Sequence, residues 1–170
     1  KKPFYIPLRV GLLDKEGNEL DLILEPNNEP SSVKDRILLI TESSQEFVFK
    51  NIDQEPIPSL LRGFSAPVRM EYPYSREELY FLMVHDSDGF NRWNAAQLLS
   101  LDIMNELQQS VAFDMPPLLI KAFEGVLANS FEEEVDKAML AHLLALPTEG
   151  ILIEQAVVAD VDAIHLVREK

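Results

Sequence analysis

The hydrophobic period of this chain changes once, at Ser75, and that change restricts its possible folds more than any other feature. Before it, Phe4, Ile6, Leu8, Val10 and Leu12 recur at every second position, the pattern of a strand with one buried face. Asp14-Lys15-Glu16-Gly17-Asn18 is turn material, and Leu20, Leu22 and Leu24 resume the alternation, which predicts a β-hairpin. A loop over Glu25 to Ser32, carrying Pro26 and Pro30, interrupts the pattern. Further strands are expected near Arg36–Thr41, Glu46–Lys50, Ile57–Phe64 and Val68–Tyr72. Short strands with frequent turns read as an antiparallel sandwich.

From Ser75 onward the spacing is helical. Ser75-Arg76-Glu77-Glu78 fits a capping box, in which hydroxyl and carboxylate each satisfy a backbone N–H. Leu79, Leu82 and Met83 follow, and Asp86-Ser87-Asp88-Gly89 ends that helix. A longer helix is predicted from Phe90 to about Leu107, with Ala96, Leu99, Ile103 and Leu107 on one face. Leu101 and Met104 lie off that face, so burial on more than one side is expected. Pro116 and Pro117 suit the first turn of a third helix. Asp136, Thr148 and Asp160 are placed to cap a fourth, fifth and sixth. The fold class is therefore β followed by α: a small antiparallel β-sandwich over 1–74, then the start of a helical bundle or superhelix over 75–170. The last helix lacks a visible C-cap, which reads as truncation. A strand missing before Lys1 would leave Phe4–Leu12 as an edge through which weak self-association is expected.

Charge follows the same division. Residues 1–70 carry 9 basic and 11 acidic side chains, a net of −2; residues 71–170 carry 6 and 18, a net of −12. The total of −14 repels phosphate backbones and anionic lipid, so neither nucleic acid nor a membrane is an expected partner. With no cysteine, the chain has no disulfide, thiol nucleophile or cysteine-ligated metal. The apolar runs are too short to span a bilayer and no signal-peptide pattern opens the chain, which points to the cytoplasm.

No residue is singled out as catalytic, cofactor-binding or metal-ligating. His85, His142 and His165 are not spaced to put two imidazoles on one helical face, and structural roles are expected for them. His85 beside Asp86 lacks a nucleophile. Asp86-Ser87-Asp88-Gly89 departs from a calcium loop at its next two positions, Phe90 and Asn91, and reads as helix punctuation. Gly63-Phe64-Ser65-Ala66-Pro67 starts like a nucleophile elbow but lacks the second glycine. Glu132-Glu133-Glu134 reads as a solvated run, and Phe90, Arg92 and Trp93 as packing or docking residues.

Several stretches together resemble one family. Pro56-Ile57-Pro58-Ser59-Leu60-Leu61-Arg62-Gly63-Phe64-Ser65-Ala66-Pro67-Val68 is similar to the middle of bacterial-type aminopeptidase N, the zinc-dependent alanyl aminopeptidases. So are Phe81-Leu82-Met83 and His85-Asp86-Ser87-Asp88-Gly89-Phe90-Asn91-Arg92-Trp93-Asn94-Ala95-Ala96-Gln97. The opening Phe4-Tyr5-Ile6-Pro7-Leu8 through Asp14-Lys15-Glu16-Gly17 resembles the family's hairpin, and the likeness weakens after about Glu106. The resemblance implies a β-sandwich followed by the first helices of a C-terminal domain. Its partners would be the catalytic and remaining helical domains of the same chain, and peptides would be the parent's substrates. In the parent, zinc would make a bound water nucleophilic near neutral pH. This chain has neither an H-E-x-x-H motif nor a Gly-Ala-Met-Glu-Asn segment. It is expected to be inactive alone and to hold no cofactor, with zinc confined to the parent. The rival reading is a free-standing acidic interaction module that pairs a sandwich with a helical adaptor.

Overall fold

The computed structural model describes residues 4–25, 33–109, 115–128 and 136–169. The loop expected around Pro26 and Pro30 and the acidic run Glu132-Glu133-Glu134 lie outside the described residues, as do both chain ends. Among the described residues the order is five strands, a short 3-10 turn and six helices. The chain divides into two compact units. One comprises the described residues up to Pro73 together with His85–Asn91; the other comprises Tyr74–Val84 and the described residues from Arg92.

In the first unit, β1 (Ile6–Leu13) is the centre of a three-stranded antiparallel sheet, between β3 (Asp35–Ile40) and β5 (Ile57–Leu60). Its register sets Ile6 opposite Ile40, Val10 opposite both Arg36 and Leu60, and Leu13 opposite Ile57. β1 is thus paired on both sides, which corrects the expectation that it forms an edge. A second, two-stranded sheet joins β2 (Ile23–Leu24) to β4 (Phe49–Lys50). The core lies between these layers: Val10, Leu12, Leu22 and Leu38 are buried, with Leu8, Leu20, Leu24 and Phe49 packed around them. The alternation picked out in the sequence belongs to this core.

The hairpin turn forms as expected. Asp14 Oδ1 accepts the backbone N–H groups of Glu16 and Asn18, and Gly17 takes φ +90°. The hydrogen bond from the Asn18 side-chain amide, ahead of several backbone ones, holds the Asp14 carboxyl below its ordinary value. The hairpin ladder is short, however. Leu20 N–H bonds to Leu12 C=O, but Leu22 N–H turns to Val33 C=O and β2 leaves for β4.

Two further expectations are corrected. Val68–Tyr72 alternates like a strand but forms no strand ladder among the described residues; Val68 N–H closes a tight turn onto Ala66 C=O instead. Period two is satisfied by any half-covered extended segment, so alternation alone does not supply a neighbour. The strand read over Ile57–Phe64 stops at Leu60, because Leu61, Gly63 and Phe64 take positive φ and wind a 3-10 turn over Arg62–Phe64. Glu46–Lys50 likewise contracts to β4.

The helical unit follows the sequence closely. At the start of α1 (Arg76–His85), Glu78 N–H donates to Ser75 Oγ, and Ser75 N–H donates to Glu78 Oε2. That is the reciprocal pair of the predicted capping box. The helix α2 (Gly89–Gln108) buries Ala96, Leu99, Ile103 and Leu107, and also Leu101 and Met104. After α3 (Pro117–Ala128), Asp136 accepts from Ala138 and Met139 N–H at the head of α4 (Lys137–Leu143). Thr148 caps α5 (Glu149–Gln155), and Asp160 accepts from Ala163 N–H to cap α6 (Val161–Glu169). At Gly125, α3 comes so near α1 that an added Cβ would lie 3.0 Å from Val84. Longer polar links join the elements: Arg76 to Asp102 and Glu106, Gln97 Nε2 to Ala145 C=O, and Arg168 Nε to Pro147 C=O.

Candidate functional site

The most concentrated polar chemistry in the described residues surrounds Arg62, whose side chain is 3% exposed. The turn after β5 aims it back across the sheet, over Gly11 in the middle of β1. A Cβ at Gly11 would stand 2.5 Å from the guanidinium carbon, so only glycine leaves that space. The guanidinium is then held at all three nitrogens. Nε donates to Ser59 Oγ at 2.8 Å, and one terminal nitrogen meets Glu19 at 2.7 Å. The other donates to Asp86 Oδ1 at 3.0 Å and Ser87 Oγ at 3.2 Å. Asn91 Nδ2 donates to Ser59 Oγ, and Ser87 Oγ donates to Glu19.

Asp86 organises the other side. Besides the guanidinium it accepts Asp88 N–H, while Asp88 accepts Asn91 N–H and so caps α2. Its Oδ2 is buried with no hydrogen-bond partner among the described residues. Burial accordingly pushes the Asp86 carboxyl above its ordinary value, although the Ser59 hydroxyl, the Asp88 amide and Arg62 all pull the other way. For Glu19 the balance is reversed. Burial is the largest single influence and raises it, but the Ser87 hydroxyl and Arg62 together bring it below normal. Burial also opposes the charge on Arg62, and Glu19 and Asp86 more than restore it. The cluster is therefore a guanidinium held permanently charged between two carboxylates.

Such an arrangement holds; it does not transfer protons or attack. Its serines link donors to acceptors, and His85, adjacent to Asp86 in sequence, lies exposed at the end of α1 against Gly17. What the cluster does is tie the hairpin, β5 and residues 85–91 into one unit. The sequence did contain a signal for it: an isolated glycine inside a strand pattern marks a close approach, and Gly11 is one.

The other residues weighed from sequence are dispersed. His142 is exposed on α4, and His165 on α6 bonds Glu149 at 2.7 Å and lies 3.5 Å from Glu169. Phe90 stacks at an angle on Phe64, with centroids 5.3 Å apart, and Arg92 Nε donates to Met83 C=O. Among the described residues no group of three or more histidine, aspartate or glutamate side chains is placed to hold a metal ion.

Family models match both parts of the chain. Residues 1–73 match a domain of unknown function, DUF3458, described as an Ig-like fold, and residues 76–170 match DUF3458_C, described as ARM repeats. The chain belongs to the DUF3458_C family, whose model spans more than half of it. Three curated relatives share the name "Aminopeptidase N". The chain is 36% identical over 99% of its length to "Aminopeptidase N" of Escherichia coli (strain K12), and 36% identical to the Haemophilus influenzae protein of that name. Among solved structures it resembles Legionella pneumophila aminopeptidase A, crystallised with aspartic acid, at TM-score 0.73 and 33% identity over 97% of this chain. The resemblance read from the sequence is thus borne out, as is the β-then-α fold. The chain spans 19% of the length of the two aminopeptidase N relatives and 18% of the Legionella chain.

Proposed function

We propose that this chain is a non-catalytic part of a zinc metallo-aminopeptidase that removes N-terminal amino acids from peptides. The observation that carries the reading is identity spread over 99% of the chain but only 19% of aminopeptidase N, with the Arg62 clamp as its main polar centre. In this reading, residues 1–74 form the sandwich and 75–170 the first helices of the domain after it. Its partners are the catalytic and remaining helical domains of the same chain. Peptides bind the parent, which works in the cytoplasm. No group among the described residues fits zinc, so no step of the reaction is routed through them. Their contribution is mechanical: the clamp keeps the strand unit stiff.

The test uses the full polypeptide that carries this chain. It should release free amino acids from aminoacyl chromogenic amides and contain about one zinc per chain, and chelation should stop it. The 170-residue chain alone should do neither. A full polypeptide that is inactive with zinc restored would reject the reading, as would stoichiometric zinc in the isolated chain.

A further inference from the structure

Among the described residues, the charge around Arg62 does not balance: two guanidiniums, Arg9 and Arg62, face four carboxylates, Glu19, Asp35, Asp86 and Asp88. Arg9 pairs with Asp35 on the sheet, and Arg62 is shared between Glu19 and Asp86. Asp88 adds its charge at the head of α2, where it accepts Asn91 N–H. His85 precedes Asp86 but is exposed against the hairpin turn at Gly17, and Ser59, Ser87 and Asn91 complete the surroundings without charge. The surplus negative charge is worst placed on Asp86. The side chains of Glu19 and Asp35 are 26% and 34% exposed, and that of Asp86 is 0%. The Arg62 guanidinium and Asp88 N–H both converge on Asp86 Oδ1, while Oδ2 is buried with no hydrogen-bond partner among the described residues. A buried oxygen without a donor is far more costly charged than neutral.

We propose that Asp86 Oδ2 is a proton-binding site that tightens the hold of residues 85–91 on the strand unit as pH falls. The proton on Oδ2 leaves Oδ1 able to accept from Arg62 and Asp88 as before, so the clamp sheds its surplus charge and keeps its hydrogen bonds. Arg62 then neutralises Glu19 alone. Burial, with a smaller push from the Asp88 charge, holds the Asp86 carboxyl above its ordinary 3.8 against the pull of Ser59, the Asp88 amide and Arg62. Because the folded value exceeds the unfolded one, the stability from that proton is complete below pH 3.8 and is lost as pH rises through the folded value. Glu19 has the opposite sign. Held below 4.5, its contribution is present above that pH and is lost only as pH falls through its folded value. Above pH 4.5, therefore, acid strengthens this segment, the reverse of the usual loss of paired carboxylates. The inference does not depend on the aminopeptidase reading.

Amide exchange over residues 85–91 tests this in the full polypeptide, with each rate expressed relative to unstructured peptide at the same pH. In the unsubstituted protein, protection should rise about tenfold as pH falls from about 7 to about 4.5. In Asp86→Asn, which carries no charge at any pH, protection should not change over that range. His85→Gln should keep the rise, which separates Asp86 from its titratable neighbour. Protection that stays level or falls in the unsubstituted protein overturns the proposal, and shows that Oδ2 is already satisfied. An equal rise in Asp86→Asn, or loss of the rise in His85→Gln, overturns it as well. Glu19→Gln keeps the test decisive if the asparagine variant does not fold, because Glu19 is partly exposed. That change gives Arg62 wholly to Asp86 and should move the rise to lower pH. A rise that does not move would place the proton elsewhere and refute the site.

Discussion

The two units of this chain solve the problem of stability differently. Among the described residues five polar or charged ones are buried: Ser59, Arg62, Asp86 and Asn91 lie in the strand unit and only Ser100 in the helical one. The strand unit is small and two of its strands are two residues long, so its apolar core is thin. It adds a desolvated ionic clamp that joins segments distant in sequence. The helical unit has a run of fully buried aliphatic residues, among them Leu99, Ile103, Leu143, Leu152 and Ile164, and starts α1, α4, α5 and α6 with local caps. The difference teaches that the strand unit fails through its polar centre, and the helical unit through packing and caps.

Removing the clamp should have the largest effect. Arg62→Met leaves the buried Asp86 and the half-buried Glu19 without their cation, which costs about 3–5 kcal/mol. Unfolding of the strand unit should shift to lower urea while helical circular dichroism persists. Adding Asp86→Leu should recover part of the loss, since a buried pair is costlier to break than to replace. A single cooperative loss of both units would break the comparison.

Gly11→Ala should come next, at about 1–3 kcal/mol, because the new methyl group meets the Arg62 guanidinium, which Ser59, Asp86 and Glu19 hold in place. Amide exchange at Glu19 and Asp86 would rise if the guanidinium is displaced. Unchanged exchange and stability would mean that Arg62 has room the structure does not show.

On the helical side, Ser75→Ala removes one half of the capping box and should cost about 1 kcal/mol. The loss should fall on α1, read as faster exchange of the Glu78 amide. An effect as large as that of Arg62→Met would erase the contrast between units.

The smallest effect is electrostatic. The Glu149 hydrogen bond, and then the charges of Glu169 and Glu149, raise the His165 pKa above 6.5. A folded value above the unfolded one means that the contribution to helical stability is complete below about pH 6.5 and is lost as pH rises through the folded value. Glu149→Gln should bring the His165 titration, followed by NMR, back toward 6.5. An unmoved midpoint would show that the pair does not persist in solution.

Much of the helical unit was legible because its signals are local. Ser75, Asp136, Thr148 and Asp160 each act on amides two or three residues ahead, so spacing in the sequence is spacing in space. The candidate site was not legible in that way. Gly11 hinted at a close approach, but nothing near it named Arg62 as the group approaching, 51 positions on.

By itself, then, the sequence determined where strands give way to helices, which faces are apolar, where helices start, and the family of the chain. Periodicity and capping are short-range properties, and long runs of matching residues need no fold to be compared. Only the tertiary structure decided that β1 is central, that Val68–Tyr72 joins no strand ladder among the described residues, and that β2 leaves the hairpin for β4. It also decided that Arg62 selects Asp86 and Glu19 from an acid-rich chain. These are pairings between distant segments, and any acid could neutralise a guanidinium equally well on paper. The choice falls to those that the packed backbone brings within about 3 Å in a space closed to water.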